Sequence, residues 1–454
     1  MEPSLPPFAE DTVAAVSTPF GEGAIAVLRL SGPHAITIAG GIFRSGKPVA
    51  ELPPRVQQFG RIVDGPQVLD EVLLSVHRAP GSYTGEDVVE IQCHGGILVT
   101  RRILDLLLAG GARAAEPGEF TRRAFLNGKM DLTQAEAVMD LIRAQTDLAL
   151  RAATEQLEGR LGRHIVALRE TLLGILAHIE AHIDFPDEDI DPATGAALLV
   201  RIDSARAEVA RLLGTADQGR ILREGLRTVI FGEPNAGKSS LLNRLLGYER
   251  AIVSHLPGTT RDTLEEVVNL RGIPVRLIDT AGVRPSEDVL ENAAIARTRQ
   301  VLSRAGLILK VVDASAPPSV PSFPDLPSTA HTLLLLNKCD LGTDPGWQST
   351  SGIPISCKTG QGLDLLTQAI FDSAMHGAGS SDDFMIAINA RHQACLKTAA
   401  GYLDAARNAM EQAVSPEFIA IELRAALDAV GDVAGRLDAE ELLGEIFSKF
   451  CIGK

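Results

Sequence analysis

The chain has 454 residues, about three times the roughly 150 residues of a typical domain, so we expect two to four separate cores. Hydrophobic residues make up 45% and charged residues 22%, which excludes a disordered chain. Aromatic residues make up only 4%, so the cores must consist largely of Leu, Ile, Val and Ala. The net charge of −15 excludes bulk attraction to nucleic acid, and such a contact would need a local basic patch.

The N-terminal third combines short strands with a helix. Residues 24–30 and 88–92 are β-rich runs bounded by glycine-rich turns, and residues 96–109 are apolar at helical spacing. This alternation predicts an α+β or α/β unit.

Two long helical segments flank a segment of a different kind. Apolar residues recur at helical spacing over 132–183, which predicts at least two helices, and again over 193–213. The pattern returns over 388–450, where Ser415 and Pro416 suit a helix cap and a first helical residue. Between them, strands, loops and helices alternate. The helical segments are either two domains or one domain interrupted by an insertion; we favour insertion, because the termini of a compact domain often lie close together.

The cysteines and the N-terminus indicate the cellular compartment. The cysteines are Cys93, Cys339, Cys357, Cys395 and Cys451, widely spaced and with no C-x-x-C pair. This pattern argues against a disulfide framework and favours a reducing compartment. No signal-peptide pattern and no uncharged apolar run of roughly 18 residues occurs, so we expect a cytoplasmic protein without a membrane span.

The inserted segment begins with a phosphate-binding motif. Gly232-Glu-Pro-Asn-Ala-Gly237-Lys238-Ser239 fits G-x-x-x-x-G-K-S, after a predicted strand at 228–231 and before a predicted helix at 240–246. Glycines and the helix N-terminus let backbone N–H groups approach phosphates. Lys238 would reach the β- and γ-phosphates, and the Ser239 hydroxyl would bind Mg²⁺.

Three further blocks follow in the order expected of a GTPase. They are Asp279-Thr280-Ala281-Gly282, Asn337-Lys338-Cys339-Asp340 and Ser356-Cys357-Lys358. The Asp340 carboxylate can accept hydrogen bonds from guanine N1–H and its 2-amino group, a donor pair that adenine lacks. The third block can supply a backbone N–H for guanine O6. With Asn235, Ala236, Gly237 and Ser240 of the phosphate loop, these blocks predict a GTP site.

The residue that positions the attacking water is not the usual one. Many GTPases carry Gln after the D-x-x-G block, whereas this chain has Val283, which offers no hydrogen bond. The open alternatives are an acid, a monovalent cation or an arginine. The acids are Glu287, Asp288 and Glu291, and the arginines are Arg261 and Arg284.

Several motifs extend beyond a general GTPase. They are Glu233-Pro-Asn-Ala, Gly258-Thr-Thr-Arg-Asp262, Tyr83-Thr-Gly-Glu-Asp87, His94-Gly-Gly96, the run from Gly118 to Lys129, and the terminal Phe450-Cys-Ile-Gly-Lys454. Together they resemble the MnmE (TrmE) family, the tRNA uridine-5-carboxymethylaminomethyl modification GTPases, over essentially the whole chain.

The resemblance implies a multidomain α/β and α fold. It implies an N-terminal α+β folate-binding and dimerisation domain over 1–124 and a helical-bundle domain over 125–221 and 377–454. A Ras-like P-loop GTPase domain over 222–376 would be inserted in the helical domain.

The implied activity is K⁺-dependent hydrolysis of GTP by a homodimer. With the FAD-dependent partner MnmG (GidA), in a heterotetramer, such proteins add an aminomethyl-type (carboxymethylaminomethyl) group to C5 of the wobble uridine of certain tRNAs. The one-carbon donor would be 5,10-methylene- or 5-formyl-tetrahydrofolate. An alternative is a ribosome-assembly GTPase that acts as an RNA-binding switch; a third is a scaffold with degenerate nucleotide binding, against which the intact Lys238, Asp279 and Asp340 argue.

The resemblance also assigns individual residues. The family's K⁺ ligands fall on Asn235, Ser254, Leu256 and Thr259, the second Mg²⁺ ligand on Thr260, and the catalytic acid on Glu291. Ser254, Thr259 and Thr260 thereby join the predicted GTP site. The folate pocket falls on Arg29, Glu90, Lys129 and Lys454, although Arg29 and Glu90 taken alone suit exposed sheet positions. Cys451 is either a reactive thiol of the modification site or a passive terminal thiol.

Overall fold

The computed structural model describes residues 11–184, 193–248, 265–279, 300–318, 330–375, 386–412, 414–435 and 440–454. The chain divides into two compact units: an N-terminal unit, 1–139 with 431–454, and a central unit, 140–430. None of the helices in these ranges is long and apolar enough to cross a membrane.

A mixed sheet forms the N-terminal unit, in the order β3-β4-β5-β6-β2-β1-β7 among the described residues. Most neighbours are antiparallel, and β1 and β7 are parallel. The predicted strands at 24–30 and 88–92 and the helix at 96–109 are confirmed. The bounds are β1 Val13–Val16, β2 Gly23–Ser31, α1 Ala35–Ile42, β3 Phe43–Arg44, β4 Gln58–Asp64, β5 Gln67–His77, β6 Val88–Gly95, α2 Ile97–Ala109, β7 Arg113–Ala114 and α3 Glu119–Leu126.

The two faces of this sheet have different roles. One face carries the main core, where Leu28, Leu74 and Ile91 pack with Ile38 of α1 and Ile103 of α2. Because side chains alternate along a strand, the residues between these point to the opposite face. Among the described residues, α3 covers the β1 end of this face, in a second cluster made by Val13, Ala15, Ala115, Phe120 and the partly buried Tyr83.

The C-terminal segment completes the N-terminal unit. After helix α13, Glu440–Ser448, Ile452 forms a β-bridge with Pro117, and the Gly118 N–H donates to the Cys451 carbonyl. Gly453 has φ +92°, and a Cβ there would lie 2.5 Å from the Val16 carbonyl oxygen. Glycine at this position is therefore what lets the chain end lie against β1.

Helices α4 to α8 connect the two sheets along the chain. The predicted segment 132–183 contains three helices rather than the minimum of two. The first break is capped by the Thr146 side chain, which accepts from the Ala149 N–H, and the second contains Gly159 at φ +81°. The bounds are α4 Leu132–Arg143, α5 Asp147–Leu157, α6 Arg160–Asp184, α7 Ala193–Gly214 and α8 Ala216–Glu224.

The second sheet belongs to the central unit and has the order β13-β12-β11-β8-β10-β9. All neighbours are parallel except β9, which is antiparallel to β10. The bounds are β8 Leu226–Gly232, α9 Lys238–Tyr248, β9 Glu265–Leu270, β10 Ile273–Asp279, β11 Leu307–Asp313, β12 His331–Asn337, β13 Ile353–Pro354 and α10 Leu363–Ala374. Parallel strands place their carboxyl ends at one edge, where α/β folds bind ligands.

The chain enters and leaves the second sheet at neighbouring points. Helix α8 leads directly into β8, and the Arg223 guanidinium donates to the carbonyls of Ala387 and Ile388 at 3.1 and 2.6 Å. Close entry and exit points are what an inserted domain requires, although the proposed domain boundaries stay predictions. Two helices follow, α11 Ala390–Glu411 and α12 Pro416–Ala434, and Pro416 as the first residue of α12 is confirmed.

Candidate functional site: a nucleotide site and an N-terminal pocket

The phosphate loop connects β8 to α9 at the carboxyl edge of the second sheet. Gly237 has φ +100°, and a Cβ there would lie 2.1 Å from the Asn337 side-chain nitrogen, so only glycine fits. Asn235 also has a left-handed backbone, with φ +64°, and is exposed. The Lys238 Nζ donates to the Glu233 carbonyl at 2.7 Å, which holds the ammonium over the loop. Ser239 and Ser240 follow, exposed in the first turn of α9.

Asn337 joins three of the sequence blocks. Its buried side chain donates to the Ala236 carbonyl of the phosphate loop at 2.8 Å and accepts from the Cys357 N–H at 3.2 Å. Segments more than a hundred residues apart are thereby brought together. The Asn337 side chain therefore helps to fix the position of the phosphate loop relative to the base block.

The predicted guanine-reading carboxylate is also held in place. The Ser356 hydroxyl donates to Asp340 Oδ1 at 2.6 Å and accepts from the Thr359 N–H at 3.1 Å. Burial raises the pKa of the neighbouring Cys357 thiol to about 11, so that side chain stays uncharged. This arrangement can present one oriented negative charge to the base edge.

A second carboxylate, which the sequence analysis missed, lies beside this block. Asp313 ends β11, and its Oδ2 lies 2.5 Å from the Lys338 Nζ. The loop after it is fixed by Asp344, whose N–H donates to the Ala314 carbonyl, and by Trp347, whose Nε1 donates to the Ala316 carbonyl at 2.9 Å. The only sequence signal was an acid at the carboxyl end of an apolar strand.

Part of the predicted site lies outside the described residues. Asp279 ends β10, where its backbone pairs with Ile230 of β8. The predicted residues that lie outside are Ser254, Leu256, Thr259, Thr260, Thr280, Ala281, Gly282 and Glu291, together with the alternative candidates Arg261, Arg284, Glu287 and Asp288. In the described ranges, no three His, Cys, Asp or Glu side chains form a metal cluster. Hydroxyl groups such as that of Ser239 suit Mg²⁺ together with phosphate oxygens.

The N-terminal unit brings two of the four folate candidates into contact. Arg29 and Glu90 stand opposite each other on β2 and β6, and Arg29 donates through Nε and Nη2 to Glu90 Oε1 at 2.9 and 2.7 Å. Their side chains are 16% and 24% exposed, so the interpretation as exposed sheet residues is wrong for both. The Arg29 guanidinium lies 5.5 Å from the ring of Tyr83 and 5.6 Å from that of Phe120. These two aromatic contacts, which the sequence did not reveal, hold the arginine in place.

The other two folate candidates lie at the edges of the same unit. Lys129 Nζ donates to the Pro80 carbonyl at 2.9 Å. Lys454 follows Gly453, which contacts β1, the strand beside Arg29. The structure shows no contact of either lysine with the Arg29–Glu90 pair. Cys451 is exposed, and both interpretations of its thiol stay open.

A buried ion-pair network fixes the loop and the helix that carry these aromatic rings. Arg123, with 1% of its side chain exposed, pairs with Asp11, Glu86 and Glu119 at 2.6, 3.3 and 2.9 Å. Arg113 also pairs with Glu119. Burial opposes ionisation of Glu119, but hydrogen bonds from Arg113 and Arg123 outweigh it and lower the pKa of Glu119. Glu86 and Arg123 belong to motifs that the sequence analysis quoted without a role.

A phosphate loop and an aspartate-containing base block at the carboxyl edge of a parallel sheet define the nucleotide site of a P-loop GTPase. The family profile of the MnmE helical domain matches residues 132–451, and that of the GTP-binding protein TrmE N-terminus matches residues 12–129. The chain therefore belongs to the MnmE (TrmE) family of tRNA modification GTPases.

Individual relatives are similar in sequence to this chain over almost its whole length. The tRNA modification GTPase MnmE of Akkermansia muciniphila is 52% identical over 452 residues, which are 98% of this chain and 99% of that protein. The protein of the same name from Geobacillus thermodenitrificans is 45% identical, over 98% of this chain and 99% of its own. Among solved structures, the G domain of the T. maritima FeoB iron transporter is 23% identical and covers 33% of this chain and 98% of its own, with a TM-score of 0.24.

Proposed function

We propose that the chain hydrolyses GTP to drive modification of the wobble uridine of certain tRNAs at C5. The observation that carries this proposal is the Asn337 side chain, which joins the phosphate loop to the base block. Sequence identity of 52% and 45% to named tRNA modification GTPases, over 98% of this chain, supports tRNA as the substrate.

The described residues would bind the nucleotide and hold it in position. The Lys238 ammonium would exchange the Glu233 carbonyl for phosphate oxygens, and the backbone N–H groups at the start of α9 would contact the same phosphates. Asp340, oriented by Ser356, would accept from the guanine ring. In phosphoryl transfer, the protein contributes mainly by positioning the reactants and stabilising the developing charge, because there is little covalent chemistry for its side chains to perform.

We assign the hydrolytic step to Glu291, assisted by two bound cations. Ser239 and Thr260 would hold Mg²⁺, and Asn235, Ser254, Leu256 and Thr259 would hold K⁺. The two cations would offset the charge that develops between the β- and γ-phosphates. Asn235 is exposed and has a left-handed backbone, so its side-chain oxygen is available to bind K⁺. Activation would follow pairing of two copies in a homodimer.

We place a tetrahydrofolate, 5,10-methylene- or 5-formyl-, on the open sheet face of the N-terminal unit. Both Arg29 bonds go to Glu90 Oε1, and Oε2 lies 3.9 Å from His77 Nε2, beyond hydrogen-bond distance. Oε2 can then accept an N–H donor of a pterin ring, and Lys129 and Lys454 can meet folate carboxylates. The FAD-dependent MnmG (GidA) would act on the one-carbon unit in a cytoplasmic heterotetramer, and its surface would supply the basic charge that this acidic chain lacks for tRNA.

Two measurements on the same protein test the proposed function. Purified protein should turn over GTP faster in K⁺ than in Na⁺, and ATP should not compete. In a strain that lacks the gene, nucleoside analysis of tRNA should show loss of the C5-modified wobble uridine, restored by the wild type but not by Lys238→Ala. Equal rates in the two salts would contradict the cation assignment, and intact tRNA modification would contradict the pathway.

Replacing Glu90 with glutamine should weaken binding of 5-formyl-tetrahydrofolate by about tenfold, because the neutral amide loses a charge-assisted hydrogen bond. Equilibrium dialysis measures the change. Gln92→Ala is the matched control, since Gln92 lies two residues along β6 on the same face and has no assigned role. Equal affinities for wild type and Glu90→Gln would remove Glu90 from the folate site.

A further inference from the structure

Asp313 lies where the phosphate loop and the base block meet. It ends β11, in which Val311 pairs with Gly232 of the phosphate-loop strand and Asp313 itself stands opposite Asn337. We propose that Asp313 is a positioning residue for the guanine nucleotide: it holds the Lys338 side chain across this edge of the sheet, so that the methylene stem forms a wall of the base pocket. This inference rests on the GTP site proposed above.

The carboxylate of Asp313 is oriented by Ser315 as well as by Lys338. Its Oδ1 accepts from both the N–H and the hydroxyl of Ser315, at 3.0 and 2.6 Å, and Oδ2 takes the Lys338 ammonium. These bonds engage both carboxylate oxygens, two of them at Oδ1 and one at Oδ2, so the carboxylate has little freedom to turn. Burial opposes its ionisation, but hydrogen bonds from Lys338 and Ser315 outweigh burial and lower the pKa of Asp313. The Asp313 carboxylate therefore stays ionised at neutral pH.

Lys338 is restrained at its other end as well. Its backbone is left-handed, with φ +65° and ψ +28°, which is uncommon for a residue other than glycine. Its neighbour Asn337 contacts the phosphate loop, and Asp340, two residues on, is the predicted base ligand. The lysine stem thus starts between the phosphate side and the base side of the site.

Fixing this stem reduces the entropy lost when a base packs against it. A lysine side chain has many rotamers, and ordering such a chain on binding opposes affinity. With the ammonium held by Asp313, part of that ordering is complete in the free protein. Asp313 would therefore increase nucleotide affinity without contacting the nucleotide and without changing the hydrolytic step.

The test compares Asp313→Asn with Asp344→Asn, two identical substitutions in the same part of the unit. Asp344 accepts from the Gly346 N–H at 2.8 Å and has no contact with Lys338 among the described bonds. Asp313→Asn should raise the dissociation constants of GTP and GDP by about two- to fivefold, the upper range for a partly exposed ion pair. It should leave kcat at saturating GTP within about twofold, whereas Asp344→Asn should change neither quantity.

A double-mutant cycle separates positioning from a purely structural role. Lys338→Met keeps the stem and removes the charge, so adding Asp313→Asn to it should weaken affinity no further. Ser315→Ala, which preserves both charges, should give a smaller loss of nucleotide affinity. It replaces Asp313→Asn as the test variant if Asp313→Asn fails to fold. Additive losses in the cycle, or unchanged affinity in Asp313→Asn, would overturn the inference. A wild-type protein that binds no GTP would instead refute the proposed function itself.

Discussion

Replacing Asp340 with asparagine should lower the affinity for GTP by about a hundredfold or more and give the protein a preference for xanthosine triphosphate. The carboxylate accepts from two guanine donors, N1–H and the 2-amino group. An asparagine amide can accept only one of them and turns its own N–H toward the other. Xanthine carries a carbonyl in place of the 2-amino group, so the amide donor then finds an acceptor. Competition binding with both triphosphates measures the change.

The structure supplies a matched control for this substitution. Asp364 lies in the first turn of α10, in the same unit, and Asp364→Asn changes the net charge equally. It should leave both affinities unchanged. The Ser356 hydroxyl, which now donates to Asp340, can rotate to donate to the asparagine carbonyl oxygen, so the loop should keep its shape. Equal loss of GTP and XTP binding in Asp340→Asn would show that Asp340 supports the loop rather than reads the base.

Replacing Arg123 with methionine should destabilise the N-terminal unit by about 3–5 kcal/mol, the usual effect of leaving a buried charge unpaired. Arg123 is buried with Glu119, which would keep only Arg113 among its guanidinium partners. Urea unfolding of the full chain, followed by hydrogen exchange in β1 and β2, reports the loss locally. Arg102→Met is the control, because Arg102 pairs with Asp64 at the surface, with side chains 46% and 41% exposed, and should lose less than about 1 kcal/mol. Similar losses in both variants would contradict the role of the network.

The same network makes the stability of this unit depend on pH. The folded protein lowers the pKa of Glu119 below its ordinary value of 4.5. The stabilisation is therefore complete above that value and is lost as the pH falls through the lowered pKa, because the unfolded chain takes up the proton first.

Local patterns predicted the elements better than they predicted the contacts between them. The helix at 96–109 and the strand before the phosphate loop follow from periodicity and turn residues alone, and both are confirmed. The count of helices in 132–183 was less certain, because Thr146 and Gly159 interrupt a pattern that is otherwise continuous in Ala, Leu, Glu and Arg. A short cap or a single left-handed glycine changes the chain direction without changing the hydrophobic spacing.

The same distinction applies to the sites. Lys238 and Asp340 stand in motifs whose spacing the chemistry dictates, so their positions were predictable. Asp313 depends on β11 lying beside β12, and the Arg29–Glu90 pair depends on the register of β2 against β6. Strand register between distant segments is set by the whole core, which one sequence does not display.

Trp347 is the only tryptophan in the chain, and its indole nitrogen is tied to the loop that follows Asp313. The protein thus carries a single indole fluorophore, hydrogen-bonded to the loop after Asp313. Emission from the unlabelled protein can therefore report, in real time, how that loop responds as guanine nucleotides arrive and leave.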